Sequence, residues 1–482
     1  MNSRAYQPLK QRVFFVLFCL LIVVNPFPLG SNRIWAWSLE AAFSTLILVF
    51  MLLCSQVFHS CYFSWGRLKK MRSELKLIAL WLCVIALYLI PLPLPLLRLM
   101  TPNVAQAYAD LGLSYGYLSL DVYASYKMLL LSSYYAIVFI LGIVLINSRK
   151  RITIVLFLIL LLGVFEAVYG MYLVSIGQTG TLVQVTSVSV FNASGTFINK
   201  NHLVAFLSLS FLLGLGLRFV LSRKVVRYSG IGLKERFIRF IGHPLRFLDF
   251  ALFLIVVGVW NTHSRAGLAS LLLALVFNYS LLLYSMKNKK RGIKKLFMVF
   301  IMGLVVLVFV SDDVNYYWQT LGQNSDDSQA FLMDSVQGRL LAVEQAITHM
   351  PKYWFSGVGP GAYQVFFVNH RMLEQTAYFD HAHNDYIEFI VEFGLFSLIL
   401  ATLVVIFFYR LFIFALRIKS QFYQLLTISI LSAILYLLLH GTFDFNARIP
   451  ANVVTIIVAI SLVYGKLVTL KVKKSQKPLS QG

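Results

Sequence analysis

Apolar residues run in long unbroken stretches along this chain, separated by short polar segments, and they do not alternate with polar ones. Stretches of about 17–25 apolar residues suit helices that cross roughly 30 Å of hydrocarbon. Twelve such spans are predicted, at 13–30, 36–58, 75–97, 128–146, 152–176, 202–221, 247–262, 266–286, 296–311, 385–409, 422–440 and 450–468. A transmembrane barrel is excluded, because its strands would alternate in hydrophobicity. Pro91, Pro93 and Pro95 end the third span as an extended cap. The first span does not read as a cleaved signal: no small-residue cleavage site follows, and "NPFPLG" leads straight into the second. No internal repeat interrupts the pattern. The expectation is an all-α, polytopic helical membrane protein, a single integral membrane domain over 1–482 with about twelve transmembrane helices.

Composition supports the class. With 59% hydrophobic residues, 13% charged ones and a mean hydropathy of +0.77, a soluble fold could not cover its own apolar surface. The net charge of +23 raises the question of nucleic acid, and its distribution answers it. With the N-terminus in the cytoplasm and sides alternating at every span, all but nine of the 42 Lys and Arg fall on the cytoplasmic side. The nine are Arg33, Arg98, Lys127, Lys200, Arg265, Arg339, Lys352, Arg371 and Arg448. This is the positive-inside pattern, with both termini cytoplasmic and basic loops against anionic membrane lipid; no nucleic-acid partner is implied. Cys19, Cys54, Cys61 and Cys83 lie in the first three spans or a cytoplasmic loop, so no disulfide framework is expected.

Residues 312–384 form the one long outer loop, and a loop of that length in a compact protein is usually functional. Within it, "DSVQGRLLAVEQAITHM" has helical apolar spacing and stops at Pro351. "GVGPGAY" reads as turn punctuation; it lacks the Lys-Ser/Thr that a phosphate loop requires. The loop ends in "DHAHNDYIEFIVEFGLF", where His381 and His383 sit at the mouth of the tenth span. Three readings are open. Asn384 or Asp385 caps the span and the histidines merely sit at the headgroups. A metal site is the second, although no HExxH or paired-cysteine spacing occurs. A general base is the third, since imidazole titrates near neutrality and can take a hydroxyl proton.

Other outer stretches carry similar chemistry. "SGTFINKNHLVAF" holds Asn199, Lys200, Asn201 and His202; "NTHSRAGLAS" holds Arg265; "LHGTFDFNARIPAN" holds His440, Asp444, Asn446 and Arg448. Each has an ordinary alternative: helix caps for the asparagines, a snorkelling Arg265, a local Asp444–Arg448 ion pair, and Pro450 as the first residue of a helix. Glu166 lies deep in the fifth span, where a carboxylate is costly and faces an interior cavity or packing partner. Glu388 and Glu392, four apart, share one face of the tenth span, and Glu392 is placed to support a histidine or an arginine.

"SRAGL", "GRLLAVEQAITHMPKYWFSGVGPGAY" and "HAHNDYIEFIVEFG", together with the flanking "SGTFINKNHLVAF" and "DFNARIPAN", resemble the O-antigen ligase and Wzy-type polymerase superfamily over about residues 190–460. His383 and Asn384 are followed by nine residues and Gly394 as in such ligases, with Ser397 in place of the second glycine. The resemblance implies a bundle like that of C-type glycosyltransferases in the bacterial inner membrane. It implies a metal-independent, cofactor-free, inverting transfer of a glycan from undecaprenyl diphosphate at the periplasmic face, to an acceptor such as lipid A–core. It gives Arg265 and Arg339 the diphosphate and His383 the acceptor hydroxyl, with His381 as the other candidate base. Asn199, Asn201, Asn384, Glu392, Asp444, Arg448 and Glu166 are candidate supporting residues. A Wzy-type polymerase, with a second lipid-linked repeat as acceptor, shares the same donor chemistry. A transporter is the non-enzymatic alternative and would place its ionisable groups near the midplane.

Overall fold

The computed structural model describes residues 3–57, 65–178, 192–222, 244–285, 338–370 and 380–475. The predicted ninth span at 296–311, much of the outer loop including Arg371, and the basic segments around 223–243 and 286–295 lie outside the described residues. The described chain is almost entirely helical. Its helices are α1 (Ser3–Val24), α2 (Ile34–Gln56), α3 (Trp65–Lys69), α4 (Arg72–Leu87), α5 (Leu94–Met100), α6 (Pro102–Asp110), α7 (Val122–Leu145), α8 (Arg149–Ser175) and α9 (Lys200–Ser222). They continue with α10 (Pro244–Asn261), α11 (Arg265–Ser285), α12 (Gly338–His349), α13 (Tyr363–His370), α14 (Asp385–Phe393), α15 (Ser397–Arg417), α16 (Gln421–His440) and α17 (Pro450–Ser475). One two-residue antiparallel ladder pairs Leu92–Pro93 with Tyr115–Gly116.

Among the described residues, seven helical segments are long and apolar enough to cross a membrane. The protein is a multi-pass membrane protein. Large apolar side chains face outward on α10 (Phe250, Phe253) and α15 (Leu398, Val405), a distribution that suits lipid and not water. Helix α9 is the hub. Residues 201–217 are buried apart from Phe211, and the helix packs against α8, α10, α11, α16 and α17. Small residues allow these close approaches: a Cβ at Gly258 of α10 would lie 2.4 Å from the Ala167 side chain of α8.

Two predicted spans differ from the structure. The third stops as helix at Leu87, and the proline segment then pairs as the short ladder and starts α5. The tenth is broken. Gly394 has φ +51° and ψ −130°, a conformation open to glycine, and separates α14 from α15. A Cβ there would meet Gly357 N at 2.5 Å, because the 354–357 turn packs directly on the break. Leu395 N donates to Trp354 O at 2.8 Å, and Val358 N donates to Val391 O at 2.9 Å. "GVGPG" is therefore a structural turn, with Gly357, Gly359 and Gly361 all at positive φ, that seats the outer loop on α14. Tyr88 Oη reaches Ser356 O at 2.5 Å from the end of α4. An outer cap results, in which α12, α13 and α14 share an apolar core of Ala342, Ala346, Tyr363, Phe366 and Val391.

Candidate active site

The start of α14 is built by its own sequence. Asn384 is the N-cap, and its Oδ1 accepts from Tyr386 N at 3.0 Å and Ile387 N at 3.1 Å. His383, just before the cap, has φ +49°, which is uncommon for a residue with a Cβ and is most often kept where function needs it. The turn after α16 is stitched to this helix start. Asp385 N donates to Gly441 O at 2.8 Å, Ala447 N donates to Asp385 Oδ2 at 3.1 Å, and Asn384 Nδ2 donates to Thr442 O at 3.0 Å.

That stitching brings Asp444 to the histidines. His383 Nδ1 lies 3.3 Å from Asp444 Oδ1, and His202 Nε2, near the start of α9, lies 3.8 Å from the same oxygen. Asp444 is fully buried. Burial by itself would raise its carboxyl, but the two imidazoles beside it hold it well below the usual carboxylate range. Phe445 is the common wall of the cluster: the His381 ring stacks on it at 4.1 Å, and His202 and His383 meet it edge-on at 4.7 Å and 5.0 Å.

His381 belongs to a second group. Its Nδ1 lies 2.8 Å from Glu388 Oε1, while Glu388 Oε2 accepts from Ala382 N at 3.0 Å. Arg448 Nε lies 2.9 Å from Glu388 Oε1, and its Nη2 bonds Glu392. The guanidinium also lies over the Phe389 ring at 4.8 Å. Burial pulls the His381 imidazole down, and Glu388 more than offsets this, so it titrates above its usual value. Burial likewise opposes the Arg448 charge, and Glu392 and Glu388 more than restore it. The local Asp444–Arg448 pair considered from sequence is therefore replaced by two separate groups, Asp444 with histidines and Arg448 with glutamates.

The arginines expected at the diphosphate are placed less completely. Arg265 is exposed as the first residue of α11. It is joined to the histidine cluster through its neighbour: Ser264 Oγ donates to Asn201 Oδ1 at 2.7 Å, and Asn201 precedes His202. Arg339 is the second residue of α12, which packs on α14, and its side chain lies outside the described residues. Asn199 is a cap, its Oδ1 accepting from Asn201 N at 2.8 Å. Glu166 is bound to the segment before α9: it accepts from Thr196 N at 2.9 Å and lies 2.8 Å from Thr196 Oγ1. Among the described residues no group of three or more His, Cys, Asp or Glu is arranged to hold a metal.

Sequence reasoning missed two features of this region. His202 was visible in its motif, but nothing local told that it shares Asp444 with His383. Glu40 of α2 is buried and accepts from Asn25 Nδ2 at 2.7 Å, Ser31 Oγ at 2.5 Å and Tyr134 Oη at 2.8 Å. A lone acid in "WSLEAAF" was the available signal. A comparison with curated proteins finds no match. Residues 250–402, from α10 into α15, match the family model Wzy_C, described as O-antigen ligase, and the match supports the resemblance to the O-antigen ligase superfamily.

Proposed function

We propose that the protein is a membrane glycosyltransferase of the O-antigen ligase type. It moves a glycan from undecaprenyl diphosphate to an acceptor hydroxyl, such as one on lipid A–core, at the periplasmic face of the inner membrane, with both termini cytoplasmic. The observation that carries this reading is the His383–Asp444 couple at the mouth of α14, linked through His202, Asn201 and Ser264 to Arg265. A buried carboxylate on Nδ1 fixes the tautomer that leaves Nε2 basic, and it stabilises the imidazolium formed when that nitrogen takes a proton.

The chemistry follows from these groups. The acceptor oxygen attacks the anomeric carbon as its proton passes to His383. The carbon–oxygen bond to phosphate breaks, and its electron pair leaves on the diphosphate. Attack opposite the leaving group inverts the anomeric centre. Arg265 and Arg339 offer planar, permanently charged forks to the phosphate oxygens. Arg448 is not a candidate for that role, since two glutamates already occupy it.

Two measurements test the proposal. Arg265→Ala should lower transfer by about 10²–10³-fold with membrane insertion intact; full activity in that variant would remove its assigned role. In a strain lacking the protein, long glycan should accumulate unlinked on its lipid carrier. Short glycan that is nevertheless attached to its acceptor would instead mean a polymerase, and unchanged surface glycan would contradict both.

A further inference from the structure

Building on the transferase reading, we infer that the two loop histidines have opposite tasks: His383 takes the acceptor's proton, and His381 meets the departing diphosphate as a cation. The two rings share Phe445 as a wall but answer to different acids.

A charge count separates them. Around His381 the buried acids are Glu388, Glu392 and Asp385, set against the single guanidinium of Arg448, whose side chain is only 7% exposed with both glutamates at 1%. The carboxyl groups outnumber the guanidinium, and burying an uncompensated charge is costly. An imidazolium at His381, 2.8 Å from Glu388, offsets that excess. Asp380, next in sequence, faces the same ring and favours the same state. On the other side a single carboxylate, Asp444, is shared by His383 and His202. One carboxylate balances at most one imidazolium, so this group carries no surplus of negative charge like that around His381.

Geometry gives the His381 cation an outlet. Its Nδ1 is taken by Glu388, and a quarter of the side chain remains exposed. Nε2 makes no hydrogen bond among the described residues and is not one of their buried polar atoms. An Nε2–H carrying positive charge is a donor for an anionic oxygen. No proton need be transferred from it, since the diphosphate leaves as an anion and the hydroxyl proton goes to His383. His381 is thereby a third cation beside Arg265 and Arg339.

The test uses the full-length protein in lipid nanodiscs with farnesyl diphosphate as the probe, and it measures affinity against pH. His381→Arg carries a charge that does not titrate, and it serves as the reference that cancels the probe's own ionisation. Wild type should lose about tenfold in affinity relative to His381→Arg as pH rises through the imidazole range. His381→Gln should bind about tenfold more weakly at low pH and show no loss. In transfer assays His381→Arg should lose the alkaline fall in rate that wild type shows, whereas His383→Arg should be inactive. A wild-type affinity that tracks His381→Arg at every pH overturns the inference without needing a folded Gln variant. Undiminished transfer by His383→Ala overturns the base role of His383 instead, absence of transfer by the wild type overturns the transferase reading, and the binding arm is read independently of both.

Discussion

At the scale of single residues, the site rests on buried acids matched to buried cations. Arg448 is the member whose loss should be felt most. Its removal leaves Glu388 and Glu392 facing each other in a dry setting, and breaking a buried pair in this way costs about 3–5 kcal/mol. Arg448→Ala should therefore melt well below wild type in detergent. Arg448→Lys should recover only part of the loss, because one ammonium cannot reproduce a fork held by two carboxylates. An unchanged melting temperature in Arg448→Ala would show the cluster to be solvated. The residues were legible in the sequence, but their pairing was not. Asp444 and Arg448 lie four apart and suggested each other, yet each bonds across the fold, over 61 residues to His383 and 56 to Glu392. Pairing of that kind is decided by how the 441–447 turn docks on α14, which no local spacing encodes.

Elements show the same division. Long apolar helices were readable because every span needs its own continuous run. The break at Gly394 was not, since a glycine inside an apolar run also occurs in unbroken helices. What fixes it is the Trp354–Gly357 turn packed against it from the outer loop. That loop has a titratable joint of its own. His349 at the end of α12 and His370 at the end of α13 have ring centres 4.4 Å apart, and His370 Nδ1 donates to Phe366 O at 2.8 Å. Burial lowers both, with His370 and Lys352 adding repulsion at His349 and Lys352 adding it at His370. The fold thus favours the neutral rings. Their stabilisation is complete above the usual imidazole value of 6.5 and declines as pH falls through the depressed range below it. Amide protection of α12 and α13, corrected for intrinsic exchange, should drop between about pH 7.5 and about pH 5 and should drop less in His349→Phe, where only His370 of the pair remains. Equal protection at both pH values would contradict the joint.

For the molecule as a whole, the first five predicted spans carried no motif, yet they brace the site. Thr196 Oγ1 lies 2.9 Å from Pro26 O and 2.8 Å from Glu166 Oε1, and Phe197 packs on Gly30 in a left-handed turn. These contacts hold the segment that leads into Asn199, Asn201 and His202, so α1, α2 and α8 position α9 and, through it, one face of the histidine cluster. The amino-terminal helices thus pack against the segment that leads into the histidine cluster at the mouth of α14. The account stands on His383 as the base of a glycan transfer. The most direct test is transfer from an undecaprenyl diphosphate-linked glycan by purified His383→Ala, compared with wild type at matched melting temperature. Loss of about 10²–10⁴-fold or more is the predicted result; transfer at the wild-type rate would contradict it.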